Sequence, residues 1–407
     1  MKFDLDRLMA ERGIDVAVVS GRIHGNPTMY YMTNGAKLTQ GVVVKPAGRP
    51  PVLGYYPMER DEAAKAGMDS FNLGDLNPRA LVEEAGSTLG GTVLFYSRLF
   101  DTLGVRGRVA FYGEQDQGRT LALLNALSSG VPELTVMGEF DDTIFDHAQL
   151  TKDEIEIQRM REVGKKTAAA VQAAVDLIQR HRSVDGVMAK ADGSPLTVGD
   201  VKREVLRTLF ELGLEDPEGM IFAIGRDAGV PHSAGNASDP LRLGESIVFD
   251  LFPREAGGGY FHDMTRTFSI GYARPDVQEI YDQVRFCYDK VVSELRVNEL
   301  ARTYQHLTCD IMEEMGHATP RTDAHAESGY VHTLGHGIGL EIHSRPRFSD
   351  TKLNEDRLVP GSVFTVEPGL YYPDKGYGVR LEDTWTVGAD GMFRSLTEFP
   401  KELVIPV

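Results

Sequence analysis

The stretch SIVFDLFPREAGGGYFHDMTRTF, residues 246–268, places two aspartates in segments whose other residues predict β-strands. Asp250 follows Ile-Val-Phe, and Asp263 lies on the next predicted strand, beyond a turn rich in glycine. Aspartate is depleted in strands, and a buried carboxylate is costly unless it has a partner. The stretch therefore predicts two neighbouring strands whose acids need a partner.

Further acids interrupt two other predicted strands. Glu367 closes the apolar run SVFTVEPG, residues 362–369, and Glu382 and Asp383 interrupt GVRLEDTWTV, residues 378–387. A single strand acid could be half of a salt bridge, but four on separate predicted strands are more economically explained by bound cations. Strand alternation alone does not choose between Glu382 and Asp383 as the fourth of these acids.

The segment HTLGHGIGLEIH, residues 332–343, adds three histidines to these acids. His332 and His336 have the i, i+4 spacing of a zinc-protease helix, but Thr333 stands where the H-E-x-x-H motif requires glutamate. The glycines of the segment would also each cost about 1 kcal/mol in a helix. This excludes a zincin helix, so any further metal ligands must come from other segments.

Length and composition limit the number of domains, the classes of binding partner and the expected location of the protein. A chain of 407 residues with 42% apolar and 25% charged residues predicts a globular protein of two domains. The formal net charge of −17 argues against nucleic acids and anionic membranes as partners. The N-terminal sequence lacks the apolar core of a signal peptide, so we expect a cytoplasmic protein in which Cys287 and Cys309 are reduced thiols.

The order of predicted elements divides the chain near residues 141–153. The first part alternates predicted helices and strands, and the polar stretch after it ends at Thr151, which is followed by acids as at a helix start. A long predicted helix follows, and then further helices and strands. Eight of the eleven histidines lie after residue 200, so we expect the chemistry in the second part.

Taken together and in order, the segments FDLF, GYFHDMTRTF, HTLGHGIGLEIH, TVEPGLY and VRLED resemble the pita-bread metallopeptidases. The similarity is to the branch of Xaa-Pro dipeptidases (prolidases), Xaa-Pro aminopeptidases and metal-free creatinases. It covers the whole chain and implies a creatinase-like α/β domain over residues 1–146. Residues 152–407 would form an α+β pita-bread catalytic domain, in which helices flank a curved, mostly antiparallel sheet.

The resemblance implies a centre of two divalent ions per chain. The matching ligands are Asp250, Asp263, His336, Glu367 and Glu382, and Asp263 and Glu382 would bridge the ions. Asp250 would bind one ion, and His336 and Glu367 the other. The connection from Asp250 to Asp263 is longer than is common in the family, but an even insertion leaves the inward-facing side chains unchanged. This oxygen-rich donor set suits Mn²⁺ or Co²⁺, with Zn²⁺ or Fe²⁺ as alternatives.

The resemblance also implies the catalytic groups. A hydroxide between the ions would attack the peptide carbonyl, and Glu367 would carry the proton to the leaving nitrogen. His232, His332 and His343 would bind substrate or stabilise the tetrahedral intermediate. Arg380 and Tyr371 are weaker candidates, since a strand arginine near acids can simply be their charge partner. Structural roles are expected for the other histidines, which are His24, His147, His181, His262, His306, His317 and His325.

These residues predict a metal-dependent hydrolase that cleaves the Xaa-Pro bond of dipeptides. The alternative is an Xaa-Pro aminopeptidase, which uses the same ligands on longer peptides. Creatinase chemistry is disfavoured because that branch works without metal, and a catalytically dead binding protein is disfavoured because all five ligands are retained. Relatives with this N-terminal domain are usually dimers, so we expect a homodimer whose substrate is a proline-containing dipeptide or short peptide.

Overall fold

The computed structural model describes residues 4–407, which divide into two compact units. The first contains the residues up to Gln149 together with Gly257–Gly259, and the second contains Leu150–Ala256 and Tyr260–Val407. The domain limits of 1–146 and 152–407 stay a prediction.

The first unit is built on one mixed sheet. Its strands are β1 Val16–Gly21, β2 Gly41–Pro46, β3 Val52–Tyr55, β4 Asp69–Asn72, β5 Gly107–Tyr112 and β6 Leu134–Met137. Their order is β4-β3-β2-β1-β5-β6, in which β1 pairs antiparallel with β2 and parallel with β5. Val18 and Val44 are fully buried on the strands, as their continuous apolar runs predict.

Helices accompany this sheet. They are α1 Leu5–Arg12, α2 Pro27–Thr33, α3 Arg60–Ala64, α4 Pro78–Ala85, α5 Thr88–Leu103, α6 Gln117–Gly130 and α7 Ile144–Ala148. The sequence does not predict α5, because two glycines in its first turn and several aromatic and β-branched residues weaken a helical pattern. Burial of Phe95, Leu99 and Phe100 stabilises this helix instead.

The second unit begins with the long predicted helix. Its helices are α8 Glu154–Gln179, α9 Val198–Glu211, α10 Pro275–Glu294 and α11 Ala301–Glu314. The N-cap of α8 is Asp153 rather than Thr151, because Asp153 and Glu156 form a reciprocal capping box in which each side chain accepts the other's backbone N–H. Within residues 4–407, no helix is long and apolar enough to cross a membrane.

The strands of the second unit are short and mostly antiparallel. They are β7 Arg182–Val184, β8 Val187–Ala189, β9 Leu214–Glu215, β10 Ile221–Ile224, β11 Leu243–Gly244, β12 Ser246–Leu251, β13 Arg254–Glu255, β14 Met264–Ala273, β15 His336–Gly337, β16 Ser344–Arg347, β17 Val363–Val366, β18 Gly369–Tyr372, β19 Tyr377–Arg380, β20 Asp383–Val387, β21 Phe393–Ser395 and β22 Val404–Ile405. One sheet has the order β10-β12-β14-β11, with β22 also paired to β14. Another has the order β16-β15-β17-β20-β21, and β18 pairs with β19.

Glu367 closes its strand as predicted, whereas Asp263 and Glu382 lie just outside the strands on which they were expected. Asp250 lies in β12, but Asp263 immediately precedes β14, Glu367 follows β17, and Glu382 falls between β19 and β20. The backbone N–H of Glu382 donates to the carbonyl of Thr265 at 3.1 Å, outside the strand pairings. These acids therefore lie where the chain leaves one sheet for another.

Gly164 of α8 lies against the residue that precedes Asp263. A Cβ added to Gly164 would lie 2.7 Å from Cε1 of His262 and 2.7 Å from the carbonyl oxygen of Leu396. Glycine inside a helix normally costs about 1 kcal/mol relative to alanine. Here the buried imidazole removes that advantage of alanine, because the ring and the backbone carbonyl would both have to move.

We therefore predict that Gly164→Ala destabilises the protein by about 1–3 kcal/mol, the usual cost of overpacking. Urea unfolding followed by circular dichroism measures the change. Gly118→Ala in α6 is the matched control, because its Cβ would meet a neighbour only at 3.4 Å, and it should leave stability unchanged or raise it. Equal stabilisation by both substitutions would contradict the packing of His262 against α8.

Candidate metal centre

A cavity of about 510 Å³ in the second unit brings the predicted site residues together. Its lining includes His232, Asp250, Asp263, His332, His336, His343, Glu367, Arg380 and Glu382. These residues come from six separate stretches of the sequence, so the cavity is a product of the tertiary fold.

The tightest group in this cavity is formed by Asp263, His336 and Glu382. One ligand atom from each lies within 4.8 Å of those of the other two. Nε2 of His336 is 3.6 Å from Oδ2 of Asp263 and 3.4 Å from Oε1 of Glu367. Nδ1 of His336 donates to the carbonyl of Gly337 at 3.2 Å, which leaves the lone pair of Nε2 directed toward the acids.

Unpaired oxygens provide an independent test of whether a cation fits. Oδ1 of Asp250, Oδ1 of Asp263 and Oε1 of Glu382 are buried and have no hydrogen-bond partner within residues 4–407. A buried oxygen without a partner is costly, and a cation would satisfy all three. The carboxylates and one imidazole form a hard donor set that fits a divalent ion.

The proton affinities of the acids lead to the same conclusion. Burial, followed by the charge of Glu382, raises the pKa of Asp263 well above its ordinary value. Burial and Glu382 likewise raise the pKa of Glu367, and burial together with Asp250 raises the pKa of Glu382 to about 8. Without a cation Glu382 therefore retains its proton at neutral pH, and the pKa of each of the other two is raised for the same reason, since negative charges crowded in one cavity repel each other.

The guanidinium group of Arg380 is hydrogen-bonded to other side chains of the protein. Its Nη2 donates to Oδ2 of Asp250 at 2.6 Å, its Nε to Oγ1 of Thr265 at 3.1 Å, and its Nη1 to the hydroxyl of Tyr371 at 2.7 Å. Arg380 is only 3% exposed, so its charge is balanced mainly within the site. This geometry favours the interpretation of Arg380 as the charge partner of Asp250.

Tyr371 links Arg380 to His332. Nε2 of His332 lies 2.8 Å from the Tyr371 hydroxyl, and Nδ1 lies 2.7 Å from the carbonyl of Thr333. His332 therefore carries its proton on Nδ1 and accepts from Tyr371. Burial, together with the charge of Arg380, lowers the pKa of His332 to about 3, so the ring is neutral. Tyr371 is a weaker candidate from sequence, where its one signal is its position on the predicted strand after Glu367.

The other two predicted histidines lie at the exposed side of the cavity. His232 and His343 are both exposed, and the ring of His343 lies 4.4 Å from that of His336 between centroids. Partial burial lowers the pKa of His343. Both rings are therefore accessible to a molecule that enters the cavity.

His262 and Asp383 have partners away from the cavity. The fully buried His262 bonds through Nε2 to Oγ1 of Thr397 at 3.0 Å, which fits its expected structural role. Asp383 accepts from Arg266 at 2.8 Å and also from Lys401 and the hydroxyl of Tyr288. Burial raises the pKa of Asp383, but the charges of Arg266 and Lys401 outweigh burial and hold this pKa below its ordinary value. Of the pair 382 and 383, only Glu382 lines the cavity.

Comparison with known sequences identifies related proteins. The model of metallopeptidase family M24 matches residues 158–389. The chain is similar to the Xaa-Pro dipeptidase of Pyrococcus furiosus, with 31% identity over 314 residues, which cover 75% of this chain and 76% of that protein.

Solved structures share the fold over nearly the whole chain. The Xaa-Pro dipeptidase from Bacillus anthracis has a TM-score of 0.76 at 24% identity, covering 99% of each chain. The X-Pro aminopeptidase from Thermotoga maritima has a TM-score of 0.71 at 21% identity, also covering 99% of each chain. The predicted fold class, an α/β first part followed by an α+β pita-bread part, is confirmed.

The raised pKa values predict that cation binding releases protons. In the metal-free protein the pKa of Glu382 rises from 4.5 to about 8, so the folded state retains a proton that the unfolded chain loses. The stability contributed by this group therefore falls as pH rises toward 8. We predict that Mn²⁺ stabilises the protein more at pH 8 than at pH 6.5, as measured by urea unfolding with and without the ion.

Calorimetric titration with Mn²⁺ in buffers of different ionisation enthalpy measures the protons released. Glu382→Gln keeps the shape of the side chain and removes one titrating ligand. This variant should release fewer protons per bound Mn²⁺ ion than the wild type. A binding enthalpy that is the same in every buffer would contradict the prediction.

Proposed function

Because the chain belongs to metallopeptidase family M24, and is thus a metal-dependent peptidase, we propose that it hydrolyses the peptide bond before proline in dipeptides. The observation that carries the proposal is the convergence of four carboxylates and His336 on one cavity. The relative from Pyrococcus furiosus is named an Xaa-Pro dipeptidase, which supports the substrate class. Bonds before proline resist general peptidases because proline lacks an N–H and restrains φ.

We propose that the centre would hold two divalent ions, to both of which Asp263 and Glu382 would supply carboxylate oxygens. Asp250 would complete one ion's ligand set, and His336 and Glu367 the other's. The clustering of Asp263, His336 and Glu382 and the unpaired oxygens support this arrangement. When bound, the ions would supply Lewis acidity to the scissile carbonyl and lower the pKa of the attacking water. Mn²⁺ is the proposed metal because most of the donors are carboxylate oxygens.

Glu367 is the proposed proton carrier. In the metal-free protein, burial and the charge of Glu382 raise the pKa of its carboxyl. The proposed role rests on position, because Glu367 lines the cavity and its Oε1 lies 3.4 Å from Nε2 of His336. Glu367 would take the proton of the attacking water and pass it to the proline nitrogen, which leaves as an amine. The backbone N–H of Glu367 donates to the carbonyl of Leu334 at 2.7 Å, which holds the residue in place.

His232 and His343 are the proposed groups that contact substrate. Both lie at the exposed side of the cavity, where they can donate to the substrate's carboxylate or to the oxygen that becomes negative in the transition state. His332 and Arg380 would act with Tyr371, since the three side chains form one hydrogen-bonded chain. Arg380 would also orient Asp250, because its Nη2 donates to Oδ2 of that side chain at 2.6 Å.

We propose dipeptides rather than longer peptides as the substrates, because a dipeptide presents a free carboxylate directly after proline. Arg380 is occupied by Asp250, so the exposed histidines are the available partners for that carboxylate. The alternative, an Xaa-Pro aminopeptidase, is kept because the Thermotoga maritima aminopeptidase shares the fold. A creatinase-like or purely binding function has no use for the complete ligand set. The homodimeric state and the cytoplasmic location also stay predictions.

We predict that the Mn²⁺-loaded protein cleaves Leu-Pro with a higher kcat/KM than Leu-Pro-Leu. The physical reason is that the added residue moves the terminal carboxylate away from its partners. Leu-Ala is the matched control for proline, and it should be cleaved poorly. Faster cleavage of Leu-Pro-Leu would assign the protein to the aminopeptidases, and no cleavage of either proline peptide would refute the proposed function.

We predict that His232→Ala and His343→Ala each lower kcat by about 10²–10³-fold, the usual loss when one transition-state donor is removed. Metal content should remain close to that of the wild type, because neither residue belongs to the five proposed ligands. His325→Ala is the control, since His325 is exposed and does not line the cavity. Loss of metal in step with activity would instead make the substituted histidine a ligand.

A further inference from the structure

Of the three proposed metal ligands that lie outside the strand ladders, two are held largely by side chains of the other's segment. Asp263 precedes β14 by one residue, and Glu382 lies between β19 and β20. A residue within a ladder has its backbone held by neighbouring strands, but these two need other partners. The partners that they have are mostly side chains, and several of these are threonines.

Thr384 holds the backbone of Asp263. Its hydroxyl donates to the carbonyl of Asp263 at 2.8 Å and accepts the N–H of Asp263 at 3.3 Å. Both polar backbone groups of this ligand therefore depend on one side chain. Thr384 is fully buried, so water cannot replace the hydroxyl.

Thr267 repeats this arrangement at Arg380. Its hydroxyl donates to the carbonyl of Arg380 at 2.9 Å and accepts the N–H of Arg380 at 2.9 Å. Arg380 in turn donates to Asp250, another proposed ligand. Thr267 is only 1% exposed.

The two chain segments hold each other reciprocally. Thr384 lies two residues after Glu382 and holds Asp263, while Thr265 lies two residues after Asp263 and holds Glu382. The carbonyl of Thr265 accepts the N–H of Glu382 at 3.1 Å, and its hydroxyl donates to Oε2 of Glu382 at 2.8 Å. Arg266 adds a bond to the carbonyl of Glu382 at 2.8 Å. Side-chain bonds thus replace a strand ladder between residues 263–267 and 380–384.

We propose that Thr384 and Thr267 are positioning residues, whose hydroxyls set the separation of the ligand-bearing segments and thereby the metal affinity. The proposal rests on the metal centre of the proposed function, but neither residue lines the cavity. Removing the Thr384 hydroxyl would leave a buried N–H and a buried C=O without partners, which is unfavourable. The segment that carries Asp263 would move to recover them, and metal sites tolerate shifts of only about 0.5 Å.

Thr384→Val and Thr384→Ser separate the hydroxyl from the shape of the side chain. Valine keeps the volume and removes both bonds, whereas serine keeps the hydroxyl. We expect Thr384→Val to weaken Mn²⁺ binding by about 10- to 100-fold, and Thr384→Ser to stay near the wild type. Calorimetric titration with Mn²⁺ measures the affinity, and the visible absorption spectrum of the Co²⁺ form reports a change in ligand geometry.

Thr386→Val is the matched control on the same strand. Thr386 is 1% exposed, and its hydroxyl donates to the carbonyl of Ser362 at 3.2 Å. Ser362 is not one of the proposed metal ligands. We expect Thr386→Val to lower the stability to urea while leaving the Mn²⁺ affinity and the Co²⁺ spectrum unchanged. Equal losses of affinity in Thr384→Val and Thr386→Val, or none in Thr384→Val, would overturn the proposal.

Two further variants test the positioning role and the metal centre separately. If Thr384→Val does not fold, Thr267→Val tests the same mechanism at Arg380, and an unchanged Mn²⁺ affinity would overturn the proposal. Asp263→Asn tests the metal centre itself. If Asp263→Asn binds Mn²⁺ as tightly as the wild type, the proposed function has failed at its centre. Weak binding by Asp263→Asn with normal binding by Thr384→Val refutes only the positioning role.

Discussion

Electrostatic repulsion among four carboxylates, three of them buried and one half-buried, is the constraint on which the second unit depends. Asp250, Asp263, Glu367 and Glu382 line one cavity, and burial together with their mutual charge raises the pKa of the last three. Such a group is stable only when protons, a neighbouring cation or bound metal ions balance the charge. Arg380 supplies one balancing charge within the chain, and the unpaired oxygens indicate where further positive charge is needed.

The fold meets this constraint by bringing the acids to the ends of strands rather than into their middles. At these ends the backbone leaves the ladders, so hydroxyl and guanidinium groups take over its hydrogen bonds. This arrangement requires polar groups to be buried, which is unfavourable in itself. Each of these groups has a specific hydrogen-bond partner, however, and therefore a defined position. The close approach of His262 to Gly164 in α8 packs the opposite side of the Asp263 segment. Rigidity around the ligands is what a site for small ions requires.

Much of the fold and the candidate site could be predicted from the sequence. The fold class is confirmed, and all nine residues predicted for the site line one cavity, although their roles stay proposals. The sequence does not predict α5, because its glycines weaken the helical pattern and burial stabilises the helix instead. The sequence also does not show that Asp263 and Glu382 lie just outside strands, because an apolar run does not reveal where a strand changes its pairing partner. The contribution of Thr384 was invisible, since threonine is a common residue in strands.

The sequence by itself determined the chemistry of the donors and the family. Carboxylates are costly to bury within apolar segments unless they meet positive charge, and the order of these acids and histidines along the chain is specific to one family. Only the tertiary structure decided that Glu382 lines the cavity while Asp383 pairs with Arg266, and that Arg380 is balanced by Asp250. The physical reason is that these choices depend on contacts between segments distant in the sequence. Thr265 and Glu382, for example, are 117 residues apart, and no local pattern records their hydrogen bond.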